Sequence, residues 1–206
     1  MFVRVAGSDF DRLKTLRESL PMTDQPTLTT DRLKLRPLTL VDALRVQCLA
    51  GDFAIADTTV LIPHPYPDGA AEQWIATHAD TFRRRAAVAF GIEENASGQI
   101  VGVIDIVLTP SQERGQLGYW VGREYWGQGY CTEAGRVIVD YTFRVLNLHR
   151  VQAYHFARNP ASGRVLQKIG MTHEGTSRGF IKKWGRFEDC EWYAILSDGW
   201  TFSTAT

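Results

Sequence analysis

The sequence predicts an α+β domain, a mixed sheet with helices on its faces. Three observations carry that expectation. Residues 88–93, 100–108 and 117–122 are short, β-branched and apolar, as strands are. Residues 132–146 place Ala134, Val137, Ile138, Tyr141 and Val145 at helical spacing. The element order is strand, two helices, several strands, helix, strand, helix, strands, which is not a regular βαβ repeat.

Residues 1–26 read as an N-terminal extension, with Phe10, Leu13, Leu16 and Leu20 spaced for one amphipathic helix closed by Pro21. The domain proper is expected over residues 27–202. Residues 28–38, with Leu33 and Leu35 on one side, predict a first strand. Thr39 followed by Asp42 resembles a helix start, and Leu40, Ala43, Leu44 and Leu49 give that helix its apolar side. Three prolines at 63, 65 and 67 keep the next segment out of helix. Asp68 is placed to cap a helix bearing Ala71, Trp74, Ile75, His78 and Phe82. The run Arg83, Arg84, Arg85 at its end reads as a solvated terminus rather than a phosphate or RNA site. The turn at 95–98 joins the first two of the three strands as a hairpin, so Glu93 and Glu94 read as solvated hairpin charges. After helix 132–146 come a strand at 150–157, a short helix at 162–169 ended by Gly170, and strands at 172–177 and 190–196. Asp189 reads as a turn or ion-pair residue.

Whole-chain properties exclude several function classes. The 206 residues carry 23 Lys plus Arg against 23 Asp plus Glu, so no overall field favours nucleic acid or a membrane surface. Any bound anion must be held by a local site. Cys48, Cys131 and Cys190 show no C-x-x-C spacing, and the five histidines form no metal-binding pattern, so neither a disulfide framework nor a metal is expected. No basic segment followed by an apolar one opens the chain, and no apolar run approaches the ~20 residues of a membrane span. A cytoplasmic location is the expectation.

The most informative segment runs from Leu117 through Trp126, Gly127, Gln128, Gly129, Tyr130, Cys131 and Thr132. A strand ends, a glycine-bearing loop follows, and the strongest helix begins. Such a junction gathers unpaired N–H groups at a positive helix end, which suits an anionic phosphate. A Walker A loop fails for want of a lysine after Gly129. A dinucleotide fingerprint fails because Thr132 stands where its third glycine belongs. A helix start whose glycines serve only tight packing remains the alternative.

Residues 126–131 resemble the pyrophosphate loop of the GNAT superfamily of N-acetyltransferases, with Trp126 for its Gln or Arg and Cys131 for its last Gly or Ala. Further segments of the chain are similar, in order, to the RimJ/RimL-like branch of ribosomal-protein acetyltransferases: residues 30–37, 118–120, 126–134, 159–162, 167–170, 174–175 and 185–189. The resemblance covers about residues 26–200. It implies the GNAT fold, a central mixed, mostly antiparallel sheet flanked by helices, with two strands splayed at the acetyl-CoA site. It implies acetyl-CoA as co-substrate, no metal, and a primary amine as acceptor, with a protein or peptide N-terminus as one candidate. Homodimers occur among relatives of this kind.

The reaction so implied needs a donor to the thioester oxygen, a donor to the departing sulfur, and a path for the amine's proton. By resemblance, backbone in the Trp120–Val121 region supplies the first. Asn159 and Ser162 open the second family motif. Their spacing alone reads as helix capping, whereas the family places an acid tyrosine where Leu166 stands, and in this branch Ser162 substitutes for it. Asn159 becomes a cofactor-side anchor. The branch often carries Glu where Gln116 stands here, which leaves Asp105 or a water relay as the candidate base, with an arginine partner or a strand-edge charge as the alternative for Asp105. Strand alternation puts Asp105 on a face with Val101, Val103 and Val107, where its pKa would rise. His64 and Tyr66 are candidates for the acceptor pocket, with a rigid turn as the equal alternative. Non-catalytic acyl-CoA binding and a small-molecule amine acceptor remain open.

Overall fold

The computed structural model describes residues 24–201 and the backbone of residues 2–4; the helix expected on Phe10, Leu13, Leu16 and Leu20 lies outside the described residues. Strand β1 (Phe2–Arg4) pairs parallel with β2 (Thr27–Thr29), which turns back antiparallel onto β3 (Leu33–Arg36). The single strand expected over 28–38 is therefore a hairpin. Leu28, Leu33 and Leu35 are all fully buried, and one strand cannot aim positions 28 and 33 at the same side.

A 3-10 turn at Leu40–Asp42 leads into helix α1 (Ala43–Ala50), with the Asp42 carboxylate accepting the Thr39 N–H at 2.8 Å. The buried stripe of α1 is Ala43, Val46, Leu49 and Ala50, while Leu40 and Leu44 point outward. Helix α2 (Phe53–Thr58) is capped by Asp52. The proline segment is irregular, as expected. Gly69, not Asp68, caps α3 (Ala70–Ala76), because the Asp68 carboxylate is engaged by Gln47 at 2.7 Å. Thr77 separates α3 from α4 (His78–Arg83), its hydroxyl donating to Trp74 O at 2.7 Å, so the predicted helix is two. Arg84 pairs with Asp80 one turn away on an exposed surface, in keeping with a solvated helix end.

Strands β4 (Ala87–Glu94), β5 (Ile100–Thr109) and β6 (Arg114–Val121) follow, then helix α5 (Tyr130–Arg144), β7 (Arg150–Phe156), α6 (Pro160–Ile169), β8 (Thr172–Lys183) and β9 (Arg186–Leu196). The sheet order is β1-β2-β3-β4-β5-β6-β7-β9-β8, and only the β1/β2 and β6/β7 pairs are parallel. One face packs α5 and α6 over Phe90, Ile104, Ile106 and Leu117. On the other, α1 and α3 cover Ile100 and Val103. Glu93 is not a free hairpin charge: it is buried and paired with Lys34 and Arg36. Asp189 lies within β9 and accepts the Gly179 N–H at 2.7 Å. Strands β8 and β9 extend beyond the predicted ends to a turn at Trp184 and Gly185, with register shifts at 173/175 and 177/181 that bend the hairpin.

Candidate active site

Strands β6 and β7 are paired only at Arg114–Arg150, Gly115–Val151 and Gln116–Gln152, and then part. The parting opens a cavity of about 950 Å³ through the sheet. Gly122 N–H donates to Val101 O at 2.9 Å, so by ladder alternation the amides of Trp120 and Gly118 also turn to β5. Those of Val121 and Tyr119 turn into the gap, past the last β6–β7 rung. The Trp120–Val121 region thus faces the cleft through the Val121 and Tyr119 amides, with the Trp120 side chain on the wall.

The glycine loop closes one end. Gly127 and Gly129 have φ of +76° and +82°, a conformation that side-chain-bearing residues rarely adopt. A Cβ at Gly127 would meet nothing within 4 Å, so its surface is open to a ligand. Helix α5 begins two residues before the predicted start, at Tyr130. Thr132 and Glu133 N–H groups bond to Gly129 O, and the amides of Tyr130 and Cys131 lie in the first turn, where no intrahelical acceptor exists. The Trp126 indole N–H donates to Val121 O at 3.0 Å and ties the loop to the end of β6. Cys131 lines the cavity, and burial pushes its thiol up to about 12, far from a reactive thiolate. Gln128 is the loop residue that turns away: its side-chain amide donates to Glu124 O at 3.1 Å.

At the start of α6, Asn159 caps the helix, its Oδ1 accepting Ser162 N–H at 3.4 Å. Both residues line the cavity. The Ser162 hydroxyl lies 2.7 Å from the Tyr119 hydroxyl, which also reaches Ser162 O at 3.1 Å. Burial raises the Tyr119 pKa, so the phenol stays protonated. Sequence reasoning did not single out Tyr119. The available signal was alternation on β6, which sends residue 119 to the α5/α6 face. Leu166, where the acid tyrosine was sought, is fully buried.

Asp105 sits on β5 directly across from Gly118, and a Cβ there would come within 2.7 Å of Asp105 Oδ1. The carboxylate occupies the space that a side chain at 118 would take, just past the last β6–β7 pair, and faces the cavity. It makes no hydrogen bond or ion pair among the described residues. Desolvation pushes its pKa up to about 6. The arginine partner weighed from sequence is absent among those residues.

Beyond Asp105 the wall comes from α3, α4 and the proline segment. Tyr66 and Pro63 line the cavity. His64 does not: its ring packs edge-on against Phe53 and its Nδ1 lies 3.1 Å from Gly51 O. His78, on α4, also lines the cavity. Its two ring nitrogens are buried without partners among the described residues, its ring stands edge-on to Trp74 at 4.3 Å, and desolvation lowers its pKa to about 4. Among the described residues no cluster of His, Cys, Asp and Glu could hold a metal ion, and no helix is long and apolar enough to cross a membrane.

A sheet parted beside a glycine loop and a bare helix N-terminus suits a phosphate-bearing ligand, with room in the gap for a reacting group. The acetyltransferase (GNAT) domain family matches residues 32–172, and the chain belongs to that family. It is 30% identical over 173 residues to the uncharacterized N-acetyltransferase YoaA of Bacillus subtilis (strain 168), covering 83% of this chain and 97% of that one. It is 28% identical to the [ribosomal protein uS5]-alanine N-acetyltransferase of Escherichia coli (strain K12), over 84% and 92% of the two chains. Among solved structures, Mycobacterium smegmatis RimJ in complex with CoA-disulfide superposes with a TM-score of 0.75 at 23% identity, covering 84% of this chain and 85% of that one. The protein is thus an acetyltransferase of the GNAT fold, and acetyl-CoA is the co-substrate of that class.

Proposed function

We propose that this acetyltransferase moves the acetyl group of acetyl-CoA to a primary amine by direct attack in a ternary complex, with the α-amine of a protein or peptide as preferred acceptor. The domain is taken as residues 27–202. The pyrophosphate rests on the amides of residues 127–131, with Thr132 beside them on the cavity wall, as the open Gly127 surface and the bare first turn of α5 favour. Asn159 serves as the cofactor-side anchor. The Val121 or Tyr119 amide meets the thioester oxygen as it becomes anionic. Ser162, backed by the Tyr119 hydroxyl at 2.7 Å, donates to the departing thiolate. Asp105 takes the amine's proton.

The observation that carries the acceptor preference is the Asp105 carboxylate, unpartnered among the described residues and facing the cavity. An ammonium of pKa about 7.7–8.0 passes its proton to a base of pKa about 6 across roughly 2 pK units, about 2.7 kcal/mol. A lysine ammonium of pKa about 10.4 faces roughly 4.4 units, about 6 kcal/mol. The same site therefore handles an α-amine far more readily. The Escherichia coli relative, an N-acetyltransferase of an alanine of a ribosomal protein, supports the RimJ/RimL-like reading in the same direction. The test is competition between a lysine-free peptide with a free N-terminus and an N-blocked peptide with an internal lysine. Mass spectra should show the first acetylated. Preferential labelling of the lysine, or turnover of a polyamine with neither peptide touched, would defeat the proposal.

A further inference from the structure

Residues 30–37 belong to the segments similar to the RimJ/RimL-like branch and lie outside the cleft. In the structure their first part, the turn between β2 and β3, reaches the glycine loop across about a hundred residues of chain. Arg32 Nη1 donates to Gln128 O at 3.0 Å. Its Nε and Nη2 hold Glu133 Oε2 at 2.7 and 2.6 Å, and its own backbone N–H donates to Glu133 Oε1 at 3.1 Å. The Thr30 hydroxyl donates to the same Oε1 at 2.5 Å. The guanidinium also lies 5.0 Å from the centre of the Tyr130 ring. The turn is itself fixed from behind by Asn95, whose side-chain amide donates to Thr30 O and Asp31 O and whose N–H donates to Arg32 O.

We infer that Arg32 is a positioning residue that orients the Gln128–Gly129 peptide toward the acetyl-CoA pyrophosphate. The inference rests on the reading of residues 127–132 as the pyrophosphate seat. A trans peptide is planar, with its C=O and the following N–H pointing in opposite directions. Drawing Gln128 O toward Arg32 therefore turns the Gly129 N–H away from Arg32. That peptide turns on ψ of Gln128 and φ of Gly129, and Gly129, a glycine at positive φ, offers little torsional resistance on its side, so an external group must hold it. The guanidinium has the fixed fork to hold a carbonyl and a carboxylate together, which an ammonium lacks. Arg32 also offsets the charge of Glu133, an acid in the first turn of α5 that would otherwise oppose a phosphate at that helix end.

Arg32 is half exposed, so its removal should leave the fold intact, which thermal denaturation checks. Dissociation constants would be measured by calorimetry for acetyl-CoA and by ligand-observed NMR for S-acetylpantetheine, which lacks the pyrophosphate. Arg32→Ala should weaken acetyl-CoA binding at least tenfold and leave S-acetylpantetheine within twofold of the wild type. Arg32→Lys should remain weakened. The double variant Arg32→Ala with Glu133→Gln, which removes the uncompensated charge without restoring the fork, should also stay at least fivefold weak. Full recovery in the double variant would reduce Arg32 to a charge partner and overturn the positioning role. Equal loss for both ligands, or no loss for either, would overturn it as well. A wild type that binds acetyl-CoA no more tightly than S-acetylpantetheine would instead sink the pyrophosphate seat itself.

Discussion

A carboxylate accepts a proton and a carboxylic acid does not, so a base at Asp105 sets the direction of the pH dependence. With its pKa near 6, kcat/KM should fall as pH drops through that value. Asp105→Asn should lose that limb and about 100-fold or more in rate, the scale of general-base assistance; a retained limb in the pH–rate profile would assign the base elsewhere. The raised pKa also means the folded protein holds this proton more tightly than the unfolded chain does. Its contribution to stability is fully present below the ordinary carboxylate pKa and is lost as pH rises through about 6, so Asp105→Asn should melt higher than wild type at pH 7–8. The Ser162–Tyr119 pair, 2.7 Å apart, makes a second claim. Ser162→Ala and Tyr119→Phe should each lower kcat roughly ten- to a hundredfold at unchanged acetyl-CoA affinity, because the bond strengthens only as sulfur becomes anionic. The double variant should lose less than the product of the two, a coupling that independent residues would not show. His78 makes a third. Two buried ring nitrogens without partners cost about 1–3 kcal/mol, so His78→Leu should raise Tm by a few degrees. A fall would reveal a partner for the imidazole.

Among the elements, α5 and the loop before it were the most legible. Fifteen residues at helical spacing leave little choice, and glycines at 127 and 129 before them mark a special backbone. Gly129→Val should keep the fold and abolish the rise in Tm that acetyl-CoA gives the wild type; an undiminished rise would place the pyrophosphate elsewhere. Other elements were less legible for physical reasons. The hairpin at 27–36 left a signal in the change of parity between Leu28 and Leu33, which a single strand cannot satisfy. The break between α3 and α4 rests on the Thr77 hydroxyl captured by Trp74 O, a local competition that periodicity does not register. The outer halves of β8 and β9 carry exposed Phe180 and Phe187 and no clean alternation. At the site, the Asp105 face followed from strand parity, but its lack of a partner depended on where every arginine went. The pairing of Tyr119 with Ser162 depended on two elements 43 positions apart.

At the scale of the whole molecule, the cleft has two sides of different construction. The side proposed for the co-substrate is backbone: a ladder edge, a loop and two helix starts. The side proposed for the acceptor is assembled from distant pieces. Arg158, after β7, grips the Asp57 carboxylate at 2.6 Å and also pairs with Glu188 on β9. Lys183 at the β8–β9 tip donates to Val60 O and Ile62 O at 3.1 and 2.9 Å, and Trp184 stacks on Phe53. Lys183→Met should therefore raise the KM for the acceptor and leave that for acetyl-CoA unchanged, as steady-state kinetics with each substrate varied would show.

These ties across the proposed acceptor mouth are the Arg158 ion pairs, two Lys183 bonds to backbone carbonyls and one ring stack, and the partly exposed ion pairs among them are individually weak. Their consequence is one of time. The mouth should open by local fluctuation at a small fraction of the cost of unfolding the sheet, so the N–H groups of residues 59–62, 64 and 66 should exchange with solvent deuterium far sooner than those of β4 and β5. A bulky peptide end would then enter and leave through that breathing motion, and the exchange rate of this segment would set a ceiling on turnover.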